Sequence, residues 1–293
     1  MVEIGEFEII LRPQKIWGLL STRGGLVLLA FYIGGIGCSA YIISSLLQYM
    51  PGLILGFILT IIIKNVLHFA DATHPNKALR AFLHPHFSWI SRGTVFIPIF
   101  GVASAIDISQ FILPHLVPPS LYLAARIVAC IAAFIIIIYP SALLSSFRAF
   151  PYWKSSSFPL HFALLQFLGG VGLVSLSTIL DSALGARFIE ISLTVLLLTV
   201  MTTVSHNYVT SISDVVAKKS VELLFKMDLS WIYIIGALLI GLVIPLVLLV
   251  FTFLPDFAAI AGFTLPLAGF LLLIGSFLHI YSMVRAGVRA TVI

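Results

Sequence analysis

Lys64, His68 and Asp71 stand at i, i+4 and i+7, the spacing that brings side chains onto one face of a helix. An ammonium, an imidazole and a carboxylate stacked in that way at the end of an apolar run can relay protons or hold a polar ligand head group. The bland alternative is a snorkelling lysine, a histidine on a backbone carbonyl and an aspartate that opens a loop. Spacing alone leaves both open. The polar stretch runs on through His74-Pro75 to Ser88-Trp89-Ile90-Ser91-Arg92-Gly93. A second candidate is Tyr139-Pro140, which follows the apolar run Ile135 to Ile138. Proline frees a backbone carbonyl and kinks a helix. A phenol beside it either bonds a ligand oxygen or anchors the helix at a membrane interface, and position alone favours the anchor.

Other ionisable residues lie inside apolar stretches: Asp107, His161, Glu190, His206 and His279. Arg187 and Glu190, three apart, have the spacing of an intrahelical pair. A bis-histidine haem needs two imidazoles at matching depth on facing helices. No pair among these is read as meeting that condition, so no haem is expected. The two cysteines, Cys38 and Cys130, both fall in apolar runs and form no CxxC. They are expected to pack, and the chain is expected to carry no metal site of its own. Gly34-Gly35, Gly37, Gly169-Gly170 and Gly172 read as close-approach surfaces between helices.

The elements that must position these residues are membrane helices. The chain of 293 residues is 60% hydrophobic and 9% charged, against about half and about a quarter for a soluble domain. Its mean hydropathy is +1.16. A span needs roughly 20 apolar residues, and the segments that qualify are about 25–49, 51–70, 93–113, 120–145, 158–180, 184–206, 230–254 and 258–284. The expectation is an all-α polytopic membrane protein of about eight transmembrane helices. It forms a single domain over 1–293, with an amphipathic N-terminal segment (1–23), a bundle (24–284) and a short tail (285–293). The N-terminal segment begins acidic and does not read as a signal peptide; Ile9, Ile10, Leu11, Ile16, Trp17 and Leu19 give it an apolar side.

Charge supplies an orientation. Of the 16 Lys and Arg residues, all but Lys64, Arg126 and Arg187 fall on the side that would hold both termini. The positive-inside rule makes that side cytoplasmic; an acidic partner docked there would explain the same bias. The opposite loops are short and nearly free of positive charge, which suits an anchor better than a transporter that opens to both sides. The competing reading is a secondary transporter or ion-translocating subunit with Lys64, Asp107 and Glu190 as an intramembrane charge path.

Several segments, in order along the chain, resemble the NrfD-like family, the quinone-interacting membrane subunits of polysulfide-reductase type. They are Phe31-Tyr32-Ile33-Gly34-Gly35-Ile36-Gly37; Asp71 to Pro75 with Arg80; His84-Pro85 to Gly93; Tyr139-Pro140 with Pro151-Tyr152-Trp153, Phe158-Pro159-Leu160 and Gly169-Gly170; and Gly275 to Tyr281 with Ala286-Gly287. The resemblance implies an anchor that binds quinone, of menaquinone type, and takes up or releases protons. It would exchange electrons with an iron–sulfur, ferredoxin-like subunit, which serves a molybdopterin-type catalytic subunit. Iron–sulfur clusters and molybdopterin would reside in those partners alone. Tyr139 matches a tyrosine associated with quinone binding, and Asp71 matches an acidic residue of the same pocket, with His68 behind it as a second proton acceptor. Arg23 stands where some relatives carry quinone-contacting residues, and His279 stands at the position of the family's last-helix arginine. The expected setting is a prokaryotic plasma membrane, with the bilayer as a further partner and no nucleic acid.

Overall fold

A computed structural model describes residues 2–4, 7–9, 23–71, 89–114, 117–147, 149–179, 184–253 and 261–288. Among the described residues, eight helices are long and apolar enough to cross a membrane. They are α1 (Arg23–Leu47), α2 (Met50–Phe57 continuing through Ile58–Ile63 and Lys64–Asp71), α3 (Trp89–Ile112), α4 (Pro119–Ser145), α5 (Phe158–Ser177) and α6 (Ala186–Ser213), then α8 (Trp231–Val243 continuing through Ile244–Phe253) and α9 (Ala261–Arg285). Between α6 and α8 lies the shorter α7 (Val215–Lys226), and Pro151–Lys154 form one 3-10 turn ahead of α5. The molecule is thus an all-α, multi-pass membrane protein. Alternating direction puts the start of α1 and the end of α9 on one side, called the near side below.

The outward surfaces fit a bilayer. Val102, Met201 and Trp231 are 65%, 68% and 75% exposed, as hydrocarbon-facing side chains should be. Tails of lipid are as apolar as leucine, so burial of apolar area does not hold these helices to one another. Close packing and interhelical hydrogen bonds do. The Tyr32 hydroxyl of α1 donates to the Leu273 carbonyl of α9 at 2.6 Å, and the Tyr49 hydroxyl donates to the Ser177 carbonyl of α5 at 2.9 Å. Between α8 and α9, Gly241 and Gly275 bring the backbones so near that a Cβ on Gly241 would lie 2.5 Å from Gly275 Cα.

Two groups of four spans result. α1 packs against α2 and α4, and α3 against α4; α5 packs against α6 and α9, and α8 against α9. The groups meet through α1 and α5, the two most buried spans. Leu53, Phe100, Ile136 and Ile137 fill the first group. Phe158, Phe162, Leu165 and Ile280 fill the near-side half of the second, and Leu196, Leu242 and Leu272 its far-side half.

Three local features differ from the sequence expectation. Val2–Ile4 and Phe7–Ile9 pair as antiparallel strands, with Glu3 opposite Glu8, because Val-Glu-Ile and Phe-Glu-Ile alternate with a period of two. The rest of the expected surface segment, 10–22, lies outside the described residues. Residues 58–63 and 231–243 wind as π-helix: the Lys64 N–H reaches back to the Leu59 carbonyl, five residues away. The stretch between the sixth and seventh expected spans, 207–229, is largely helical. Asp214 caps α7, its Oδ1 accepting from the Val216 N–H at 2.7 Å, as N-cap aspartates do. Val216, Ala217, Ser220, Leu223 and Leu224 are buried, which is one helical stripe. Lys218 and Lys226 on the other face are exposed.

Candidate functional site

The first site forms where α1 to α4 come together near the near side. Tyr139, near the end of α4, is buried and 4% exposed, so it is not the interface anchor that position alone suggested. Its ring lies on Gly93 at the start of α3, where any Cβ would come within 2.8 Å of the ring carbons. Phe31 of α1 meets it edge-on, with ring centroids 5.6 Å apart. The same Phe31 touches the His68 ring of α2 at 5.6 Å. Phe31 thereby joins two candidates that the sequence placed on separate helices.

Lys64 does not snorkel; it is fully buried. Its aliphatic stem lies against Gly34 of α1, where a Cβ would collide with Lys64 Cδ. Its Nζ stands 5.2 Å from the centroid of the Tyr139 ring, within cation–π range, and has no hydrogen-bond partner. A buried ammonium without an acceptor is costly and is a functional-site signal in a membrane helix. Beside it, Gln166 of α5 presses on Gly35 with both of its amide heteroatoms buried and unpartnered. Asp71 ends the same helix as Lys64 and His68, one turn beyond His68 toward the near side. Its side chain, the side chain of Arg23 and the whole of 72–88 lie outside the described residues.

The second site was not foreseen. His161 of α5, His206 of α6 and His279 of α9 are fully buried and converge in the second group of spans. His161 Nε2 and His279 Nε2 are 3.2 Å apart, on facing helices and at matching depth, contrary to the expectation that no such histidine pair exists. His206 stacks on His161 with centroids 5.5 Å apart and 28° between planes. The Asn207 amide donates to the Tyr233 hydroxyl at 2.6 Å, and the Tyr233 ring lies 5.1 Å from that of His279. His279, grouped by the sequence reading with Tyr139, therefore lies in a different cluster from it. The signal that could have exposed the trio is depth. The sixth span was expected to stop at residue 206, at the interface, whereas α6 runs on to Ser213 and carries His206 inside.

A third polar group is closed upon itself. Asp107 of α3 accepts from the Tyr41 hydroxyl at 2.7 Å, from Gln110 Nε2 at 2.8 Å and from Arg126 Nε at 3.0 Å. Tyr41 lies seven residues beyond Gly34 on α1, so this ion pair sits about 10 Å farther from the near side than Lys64. Glu190 is exposed on α6 and makes no ion pair with Arg187, which is exposed as well. Lys64, Asp107 and Glu190 are thus not assembled into one path. Cys38 and Cys130 pack against Thr60 and Ser45 hydroxyls at 3.6 and 3.7 Å.

On the near side, α7 offers Lys218, Lys219 and Lys226. Lys219 binds Glu222 at 2.8 Å, and that bond holds the Glu222 carboxyl below its ordinary range. In the turn before α5, burial raises the Tyr152 phenol well above its ordinary range, so Tyr152 stays a neutral donor.

Fold and sites define an integral helical membrane protein with buried polar clusters biased to one side. No model of a known protein family matches the chain, and no curated protein sequence matches it.

Proposed function

We propose that this chain is the membrane subunit of a respiratory oxidoreductase complex, binding quinone or quinol at Tyr139 and exchanging electrons with an iron–sulfur partner on the near side. The observation that carries the reading is the meeting, at the near-side end of α1 to α4, of buried Tyr139 and Lys64 with half-buried His68 through Phe31. The unpartnered Nζ of Lys64 fits a group that brings an oxygen acceptor into an otherwise apolar setting. A quinone ring brings such oxygens, and when bound it supplies the two-electron, two-proton couple.

The chain's own residues handle position and protons. Lys64 Nζ and the Tyr139 hydroxyl are the donors that would hold a bound ring by its oxygens. Phe31 and Gly93 hold the phenol in place, so its hydroxyl is aimed by packing. His68 accepts a proton one turn nearer the surface, and Asp71 passes it to the near side. The basic residues Lys218, Lys219 and Lys226 of α7 offer a docking face to an acidic iron–sulfur subunit, with a molybdopterin-type catalytic subunit beyond it. The setting is a prokaryotic plasma membrane with the near side cytoplasmic.

The test is to isolate the chain with its partners in mild detergent. Tyr139→Phe and Asp71→Asn should each lower quinol-coupled turnover while the complex still assembles. Wild-type turnover in both variants would sink the assignment.

A further inference from the structure

We propose that His161 and His279 form a proton-holding pair, with Nδ1 of His279 as the atom that takes the proton and with Ser157 and His206 as its route from the near side. The inference stands on the second site alone and does not depend on the quinone reading.

Two neutral imidazoles meet through their Nε2 atoms only if one donates and the other accepts. Thr202 decides which. With its hydroxyl hydrogen given to a carbonyl of its own helix, Leu198 or Thr199 at 3.0 and 3.1 Å, as helical threonines do, its oxygen is an acceptor toward His161. His161 Nδ1, 3.1 Å from that oxygen, therefore carries the His161 proton. His161 Nε2 accepts, and His279 donates from Nε2 across 3.2 Å. That leaves His279 Nδ1 as a bare lone pair, buried and without a partner.

A proton placed on His279 Nδ1 releases the Nε2 proton to His161 Nε2. His279 is then neutral in its other tautomer, and His161 is the cation, with N–H groups facing His279 and Thr202. The charge can rest on either ring. It goes no farther, because the Thr202 hydroxyl is committed to the carbonyls of its own helix. The titratable groups facing the pair are Tyr233 of α8, His206 of α6 and, behind His206, Tyr152 of the 3-10 turn. From α1, Tyr32 lies one turn away on α9 at Ser276. None of them is an anion at neutral pH, so the pair accommodates one proton and not two.

The approach is polar at each step. Ser155 and Ser157 hydroxyls lie 2.9 Å apart at the mouth of α5, and Ser157 Oγ is 2.8 Å from His206 Nδ1. His206 Nε2, like His279 Nδ1, is buried and unpartnered, and both rings pack on His161; the proposed route needs a bridging water between these two nitrogens.

The test uses the full chain in lipid nanodiscs, isotope-labelled at the histidine ring nitrogens and read by solid-state NMR, with each ring assigned by its His→Gln variant. The expected result is a proton on Nε2 of His279 and on Nδ1 of His161. On acidification both rings should change together, and in His161→Gln the remaining His279 should bind its proton at least about tenfold more weakly. His206→Gln should keep both tautomers and slow solvent-deuterium exchange at His279 by roughly tenfold. If His161→Gln does not fold, Thr202→Val serves instead: without its oxygen acceptor, His161 should move its proton to Nε2 and reverse the bond. A proton found on His279 Nδ1 in the wild type, rings that titrate independently or not at all, unchanged exchange in His206→Gln, or unchanged tautomers in Thr202→Val would each overturn the proposal.

Discussion

The ammonium of Lys64 lies 5.2 Å from the centre of the Tyr139 ring, buried and with no hydrogen-bond acceptor. This relationship gives α2 and α4 a shared polar point inside an apolar bundle. It also makes Lys64 a residue that weakens the resting fold.

The first expectation follows from that cost. Lys64→Met keeps an unbranched side chain, one atom shorter, and removes a buried polar group worth about 1–3 kcal/mol when unpaired. The variant should unfold at higher temperature in detergent than the wild type, while quinol-coupled turnover falls. A variant less stable than the wild type would show that the ammonium has an acceptor after all.

Gly93 is the floor beneath Tyr139. A methyl group there would sit 2.8 Å from the ring carbons, and the phenol must shift to admit it. Gly93→Ala should cost about 1–3 kcal/mol and should reduce turnover about as far as Tyr139→Phe does. Thermal unfolding and steady-state assays on the same preparation separate the two effects.

Asp107 and Arg126 should matter for stability and not for turnover. Arg126→Met strands a fully buried carboxylate, and removing one partner of a buried pair costs about 3–5 kcal/mol. Because Tyr41 and Gln110 still donate to Asp107, the low end is expected. Replacing Asp107 and Arg126 together by Asn and Met should recover much of the loss. Turnover per folded molecule should stay at the wild-type level in both; a selective loss of activity would revive an ion path through Asp107.

Reversal of charge on α7 tests the docking face. Lys218→Glu with Lys226→Glu changes two exposed side chains and leaves the buried stripe alone, so the chain should fold as before. Association with the iron–sulfur subunit should weaken, and more so at low ionic strength, where surface charges are least screened. Binding indifferent to both charge and salt would remove α7 from the interface.

The helical architecture was legible because a span is declared by length and composition, and the apolar runs are uninterrupted. The grouping of Lys64 and His68 was legible as well, since residues 64–71 are regular α-helix. The direction in which that face points was not. A π-helical stretch over Ile58–Ile63 adds a residue to the turn ahead of Lys64 and rotates everything after it, and no periodicity in an all-apolar run marks such a stretch. The histidine cluster was hidden for a different reason. Three imidazoles on three helices share no sequence spacing, and only the true end of α6 sets the depth of His206. The capped helix α7 was readable in principle from Asp214 and the apolar stripe behind it.

The most direct test of the central claim is equilibrium binding of a menaquinone analogue to the purified chain in nanodiscs, compared between the wild type and Tyr139→Phe. Loss of one well-placed hydrogen-bond donor costs about 1–1.5 kcal/mol, so the expected result is saturable binding in the wild type and an affinity roughly tenfold lower in the variant. Equal affinity in the two, or no saturable binding in either, would contradict a quinone site at Tyr139.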